Sequence, residues 1–171
     1  SDVRFLTRRI EKACDAVLAS TPNLWREGRT YLPNPVDLEM WHHKEHLGNK
    51  AFWFKQWDDP EYNTIEPVVR EHAKKMSLDL GVIERWRNFI SYMTMPEFYD
   101  GYDKMIEYKP VNYKANTDKG RTLGLSALEA LASCIPVYFI GEEKWLTEFP
   151  KEHAAEAVVK NLDKVYQTVL K

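Results

Sequence analysis

The sequence contains 171 residues, which is enough for one domain with a core of its own. Apolar residues make up 44% of it and charged residues 29%, a balance that excludes the disordered and collagen-like classes. A formal net charge of -2 excludes the basic footprint that duplex nucleic acid requires, and two cysteines are too few for a disulfide-rich framework or a four-cysteine zinc site. We therefore expect a single domain that spans residues 1–171.

The N-terminal part of the chain predicts two helices. Apolar residues recur at steps of three and four over residues 3–18, and Pro22 disfavours helical backbone in the residue before it. A loop follows through Trp25. A second helix is predicted over residues 34–48, because an asparagine offers an N-cap, a proline occupies the first helical position and a glycine closes the segment.

The middle of the chain predicts four more helices. Aromatic residues cluster at 52–57, and a capping asparagine before them and a proline at position 60 predict a short aromatic helix. Helical periodicity then predicts one helix over 64–81 and a partner over 82–93. A capping box, with a glutamate three residues after Thr94, predicts a further helix that carries Met105 and Ile106.

The C-terminal part predicts a loop over 110–124 and two helices. Residues 123–140 contain a single charge, Glu129, and are borderline in length for a membrane span. Because Glu129 lies near the middle of this segment, we expect a buried helix over 125–134 followed by a short extended apolar run. The last helix begins after Pro150 and continues to Val169.

Together these elements predict an all-α fold with about seven to nine helices. Helical pairs begin near Asn34, Thr64 and Thr94, so their starting points are 30 residues apart. A period in the thirties is typical of arrays in which antiparallel helix pairs stack on one another. An irregular bundle of helices of similar length is the alternative.

The densest group of candidate ligands is the segment from Trp41 to His46. On a helix, His42 and His46 lie four residues apart on one face and could bind one metal ion. Because no third ligand lies nearby in the sequence, we assign no metal, cofactor or catalytic residue. A metal-binding protein or small enzyme that uses His42 and His46 is kept as an alternative function.

The aromatic residues predict a protein-binding surface. Consecutive aromatics on a short helix cannot all face one core, and exposed aromatic and arginine residues are typical interface anchors. We expect Trp25 and Trp53 to contribute to partner binding without contributing to the fold. The predicted partner-binding residues are Trp25, Arg26, Trp41, Phe52, Trp53 and Trp57.

The predicted helix pairs, their period and the abundance of aromatics resemble a divergent pentatricopeptide-type array. In size and organisation the chain is similar to the family of eighteen-kilodalton accessory subunits on the catalytic sector of mitochondrial ATP synthase in kinetoplastids. The resemblance implies a non-catalytic subunit that binds the alpha subunit in the mitochondrial matrix after removal of a transit peptide. Without this resemblance, we expect a soluble intracellular protein with no membrane span.

An RNA-binding helical repeat is the second alternative function. Pentatricopeptide arrays that bind RNA need many repeats and a basic surface, whereas this chain has few repeats and a net charge of -2. We therefore expect no nucleic acid partner.

Overall fold

The computed structural model describes residues 13–14, 16–20, 29–55, 60–84, 90–108, 116–117, 120–121 and 123–170. The chain divides into two compact units. The sheet unit comprises residues 37–113 and 124–150, and the terminal unit comprises residues 1–36, 114–123 and 151–171. The described residues form a mixed α/β structure, so the prediction of an all-α fold with stacked helix pairs is wrong. That the chain is a single domain stays a prediction.

The sheet unit alternates strands with helices. Each helix lies between two strands in the sequence, except that the last two strands are joined by a tight turn. Its elements are β3 (Lys50–Lys55), α1 (Pro60–Lys75), β4 (Asp79–Glu84), α2 (Met95–Asp100), β5 (Lys104–Tyr108), α3 (Leu125–Ala132), β8 (Val137–Ile140) and β9 (Lys144–Leu146).

These strands form one sheet in the order β4-β3-β5-β8-β9. Strands β4, β3, β5 and β8 are parallel, and β9 is antiparallel to β8. Phe52 lies opposite Gly81 on one side and Met105 on the other, which sets the register of β3. In this order β3, which precedes β4 in the sequence, lies nearer the centre of the sheet than β4. Such an order is typical of doubly wound α/β folds, whose helices cover both faces of the sheet.

Helix α1 covers one face of the sheet. Its residues Ile65, Val69 and Ala73 are buried and pack with Trp53 and Ile106, which point to this face from β3 and β5. Because successive side chains of a strand point to opposite faces, Phe52 and Phe54 belong to the other face. The aromatic run at 52–54 is therefore buried on both faces of a central strand.

Helices α2 and α3 belong to the second face. Phe52 packs edge-on against Tyr99 of α2, at 5.4 Å between ring centroids. The Tyr99 hydroxyl donates to the Ser126 carbonyl oxygen of α3, 3.0 Å away, and lies 3.1 Å from a Glu129 carboxylate oxygen. Glu129 is thus buried with a hydrogen-bond partner, which explains how a charged residue type fits this apolar segment.

Several predicted helices are strands in the structure. The aromatic helix at 52–57 is β3 as far as Lys55, the helix at 82–93 begins as the end of β4, and Met105 and Ile106 lie in β5. Parallel strands that are covered on both faces have continuous apolar sequences, without alternation of apolar and polar residues. Periodicity alone cannot distinguish such a run from a segment of a buried helix. The predicted repeats that began at Asn34, Thr64 and Thr94 therefore do not correspond to helix pairs.

Other predicted elements are confirmed. Helix α1 overlaps the helix predicted at 64–81, but it begins at Pro60 and ends at Lys75, and residues 79–81 lie in β4. Helices also occur within 125–134 and over most of 150–169, and α2 begins directly after Thr94. The extended apolar run after the helix at 125–134 is β8. None of the helices in the described part of the chain is long and apolar enough to cross a membrane.

The terminal unit contains short elements and one long helix. These are β1 (Leu18–Ala19), β2 (Thr30–Tyr31), β6 (Asn116–Thr117), β7 (Gly120–Arg121) and α4 (Ala155–Val169). Strands β1 and β2 are parallel, whereas β6 and β7 are antiparallel. A parallel bridge joins Val36 to Ala154, and the Val36 amide donates to the His153 carbonyl oxygen at 2.8 Å.

The first two predicted helices are not found where they can be checked. The helix at 3–18 lies mostly outside the described residues, but its last residue, Leu18, is in β1. Within 34–48 the backbone makes only a 3-10 turn at Leu38–Met40 and is then irregular as far as β3. An aspartate at position 37 caps this turn, and the side chains that follow bind to other elements instead of lining one helix face.

Candidate functional site

Helix α4 exposes part of its apolar surface. Its apolar residues follow the steps of three and four expected of an amphipathic helix, and Val158 is buried against the rest of the terminal unit. Leu162 and Val165 are half-buried on the same side. The apolar side of α4 is wider than the surface that the described part of the terminal unit covers.

The most exposed apolar residues of α4 and its C-terminal end are Val159, Tyr166 and Leu170, which are 63%, 58% and 80% exposed. Tyr166 follows Val159 by seven residues and Leu170 follows Tyr166 by four, so the three side chains form one line along the helix. We call this line the exposed stripe. Large apolar side chains in a contiguous row on a surface are typical of protein-binding sites.

An apolar groove continues the exposed stripe. It has a volume of about 380 Å³ and is lined by β1, by residues 32–35 and by Val158, Val159 and Leu162 of α4. Val159 belongs to both the groove and the stripe, so the two form one continuous apolar surface. A partner side chain that enters the groove would meet leucine, valine and proline carbons.

Two acidic residues border the exposed stripe. Asp163 is four residues after Val159 and three before Tyr166, and Glu156 is three residues before Val159. Residues three and four apart on a helix are neighbours, and both carboxylates are exposed. Lys160 lies about a quarter turn further round the helix from Val159. On this side, the residues next to the exposed stripe are therefore acidic.

The sheet unit contains a second group of chemically versatile residues, in the loop at 41–47 that precedes β3. We call it the histidine loop. His42 Nδ1 lies 2.8 Å from Asp100 Oδ2, His43 Nδ1 lies 3.5 Å from Cys134 Sγ, and His46 Nε2 lies 2.9 Å from the Ser133 carbonyl oxygen. Each imidazole thus binds a residue near the C-terminal end of α2 or α3.

This arrangement does not have the geometry on which the metal-binding alternative depended. His42 and His46 are not on a helix, and each is hydrogen-bonded to a different residue. In the part of the chain that the structure describes, no three histidine, cysteine, aspartate or glutamate side chains come together as a metal site. The hydrogen bonds indicate that the histidine loop fastens the start of β3 to the helices around it.

Cys134 has an unusual backbone conformation. Its φ angle of 61° lies in the left-handed region, which is uncommon for a residue with a side chain. The thiol is exposed beside His43. A thiol in contact with an imidazole can react with electrophiles, because the imidazole can accept the thiol proton.

A charged cluster occupies the C-terminal end of β3. Lys55 is buried, and its Nζ lies 3.1 Å from Glu66 Oε2, while Arg70 Nη2 lies 2.7 Å from Glu66 Oε1. Hydrogen bonds from Arg70 and Lys55 hold the pKa of Glu66 below its usual value, against partial burial, which raises it. The cluster ties α1 to β3. The segments 56–59, 85–89 and 109–115, which continue from β3, β4 and β5, lie outside the described residues.

Three of the predicted partner-binding residues are core residues of the sheet unit. Trp41, Phe52 and Trp53 are buried, each no more than 2% exposed. Trp53 faces α1, whereas Phe52 and Trp41 both pack on Tyr99. The exposure on which the prediction for Trp41, Phe52 and Trp53 rested is therefore not found, because all three side chains belong to the core, and partner binding by these residues stays a prediction. The other three, Trp25, Arg26 and Trp57, lie outside the described residues.

The exposed stripe could not be recognised in the sequence. Its apolar residues were recognised as the periodic positions of the last helix, but periodicity does not show which of them a neighbouring element covers. Comparison with protein-family models and with curated proteins finds no match.

Proposed function

We propose that the chain is a non-catalytic protein-binding subunit, which binds an amphipathic helix of a partner protein on the exposed stripe of α4 and the adjoining apolar groove. The observation that carries this proposal is the exposure of Val159, Tyr166 and Leu170 in one line. Leaving apolar surface in water costs about 25 cal/mol for each Å², and a partner that covers it removes that cost.

The stripe fits the helix-in-groove mode of recognition. In that mode a helix inserts apolar side chains at steps of three, four and seven into a neighbouring groove. Val159 and Tyr166 have the seven-residue step on α4, and the groove beside Val159 can accept one side chain of the partner. The partner should therefore carry its own apolar residues at the same spacing.

The acidic border defines the partner further. Asp163 and Glu156 lie next to the apolar residues of the stripe. Charge complementarity across an interface favours the correct partner and orients it. We expect lysine or arginine residues along one edge of the partner helix, where they would face these two carboxylates.

Site-specific photo-crosslinking tests the proposal. The photoreactive residue p-benzoyl-phenylalanine replaces Tyr166 in the full-length protein in its own cells, and the crosslinked peptide is sequenced by mass spectrometry. We expect one partner peptide with apolar residues at steps of three and four and basic residues beside them. The matched control places the same residue at Glu143, an exposed turn position of the sheet unit.

Two results would overturn the proposal. One is crosslinking at position 166 that does not exceed that at position 143. The other is crosslinking at position 166 only to further copies of the same chain, because a self-associating stripe has no separate partner.

A further inference from the structure

A second cavity of the terminal unit is a cleft on another side of α4. It has a volume of about 550 Å³, within the range of small-molecule sites. The cleft lies between β1 and β2 on one side and α4 on the other, and Lys164, Val165, Thr168 and Val169 line it from the helix. None of its lining residues belongs to the exposed stripe, so the cleft and the stripe are separate surfaces.

The lining of the α4 cleft combines an apolar part with a polar part. Ala16 and Val17 from the β1 side face Val165 and Val169 of α4. The polar part contains Thr30 and Tyr31 from β2, and Asn161, Lys164 and Thr168 from α4. Ligand sites commonly have this composition, in which apolar walls hold the body of the ligand and a few polar groups orient it.

Lys164 brings a positive charge to the cleft. Among the described residues that line the cleft, it is the one with a charged side chain. Its Nζ lies 3.5 Å from Asn161 Oδ1, at the outer limit of a hydrogen bond, and an ammonium group has three protons to donate. The Thr168 hydroxyl donates to the Lys164 carbonyl oxygen at 2.9 Å.

Tyr31 and Glu152 limit where an anion can lie in the cleft. Burial and, to a smaller extent, the negative charge of Glu152 raise the pKa of Tyr31 above its usual value. The same two causes disfavour any other negative charge beside the Tyr31 hydroxyl, so an anionic group is expected at Lys164 instead.

We propose that the α4 cleft binds a small amphipathic anion, whose apolar body lies against Val165 and Val169 and whose anionic head contacts Lys164. An anion is favoured over a cation, because a second positive charge beside Lys164 would be repelled. It is also favoured over a neutral molecule, since a hydrogen bond to a charged group is stronger than one between neutral groups.

Three probes with the same tail test this inference on the full-length protein: octanoate, octanol and octylammonium. Binding is measured by calorimetry, and amide chemical shifts in a nitrogen–proton correlation spectrum locate the site. We expect octanoate to bind at least tenfold more tightly than octanol, and octylammonium not to bind. Shifts should concentrate at residues 30–31 and 164–169. Octyl phosphate in a parallel titration distinguishes a carboxylate site from a phosphate site.

Two variants and one control make the assignment specific. Lys164→Gln should weaken the binding of octanoate about tenfold and change the binding of octanol little. Val169→Trp should weaken the binding of both probes, because the larger side chain fills the cleft. Lys160→Gln, on the same helix but outside the cleft, should change neither, and melting temperatures confirm that each variant folds. Any one of four results would overturn the inference. Octanoate and octanol bind with equal affinity, or Lys164→Gln and Lys160→Gln lose equal affinity for octanoate, or the amide shifts lie outside the cleft, or octanoate does not bind at all.

Discussion

At the scale of single residues, the fold changes the ionisation of His42. The hydrogen bond to Asp100, and then the negative charges of Asp100 and Glu97, raise the pKa of His42 above its usual value of 6.5. A group whose pKa is higher in the folded state makes its full contribution to stability at pH values below its pKa in the unfolded state. It loses that contribution as the pH rises through the folded pKa.

We therefore predict that the His42–Asp100 pair stabilises the protein at pH 5.5. It should give no stabilisation at a pH far above the pKa of His42 in the folded protein. Asp100→Asn should lower the melting temperature more at the acidic pH than at pH 8.5, and it should lower the midpoint of His42 in an NMR titration. His42→Gln should remove the same pH dependence. An unchanged His42 midpoint in Asp100→Asn would contradict the prediction.

The contact between His43 and Cys134 predicts the reactivity of the thiol. In a Cys14→Ser background, His43→Leu should slow the alkylation of Cys134 by iodoacetamide several-fold, because the imidazole no longer accepts the thiol proton. His46→Gln is the control, since His46 binds the Ser133 carbonyl oxygen instead of the thiol. Equal rates in all three proteins would show that the contact has no effect on reactivity.

At the scale of elements, β3 holds the two faces of the sheet unit together. Trp53 is 2% exposed and packs with α1, whereas its neighbours in the sequence pack on the opposite face. We predict that Trp53→Ala destabilises the protein by about 3–5 kcal/mol, the usual range for a large buried aromatic. Urea unfolding measures this value. A change below about 1 kcal/mol would mean that Trp53 is not a core residue.

The start of β3 is fixed by Asp103. Its carboxylate accepts hydrogen bonds from the Gly48 and Lys50 amides, both at 3.1 Å, and leaves no space for a Cβ at Gly48. Gly48→Ala should therefore cost more than 1 kcal/mol in urea unfolding, about the contribution of one hydrogen bond. Gly124→Ala is the matched control, because its new methyl group would make ordinary contacts and should change stability by less than about 0.5 kcal/mol. Equal losses would contradict this account.

The same elements show how far the sequence could predict the fold. Helices α3 and α4 were predictable, because one is a long apolar segment and the other has clear periodicity over its full length. Strands β3 and β5 were not, because both of their faces are buried and their sequences lack alternation. The aromatic residues of β3 therefore suggested a surface, although they are the core.

The candidate site could be predicted only in part. The apolar periodicity of α4 is visible in the sequence, but the exposure of Val159 and Tyr166 depends on which residues of the terminal unit pack on the helix. The contacts of the histidine loop join residues 58 and 91 positions apart, which no local pattern indicates. Long-range pairs of this kind require the fold.

At the scale of the whole molecule, stability and the proposed binding belong to different parts of the chain. The sheet unit provides a core in which the aromatic residues at 52–54 are buried. The terminal unit presents α4, with an apolar stripe that nothing in the described residues covers. This division differs from the interpretation of the sequence, in which tryptophans such as Trp53 bound the partner.

A paired measurement on two variants tests this division most directly. The melting temperature and the recovery of the crosslink-identified partner are measured in parallel for Tyr166→Asp and Trp53→Ala. We predict that Tyr166→Asp keeps the melting temperature within about 2 °C, because surface substitutions change stability little, and loses the partner. Trp53→Ala should lower the melting temperature by about 6–20 °C, the shift that a loss of 3–5 kcal/mol produces in a protein of this size. A Tyr166→Asp protein that unfolds, or that retains its partner while folded, would contradict the account.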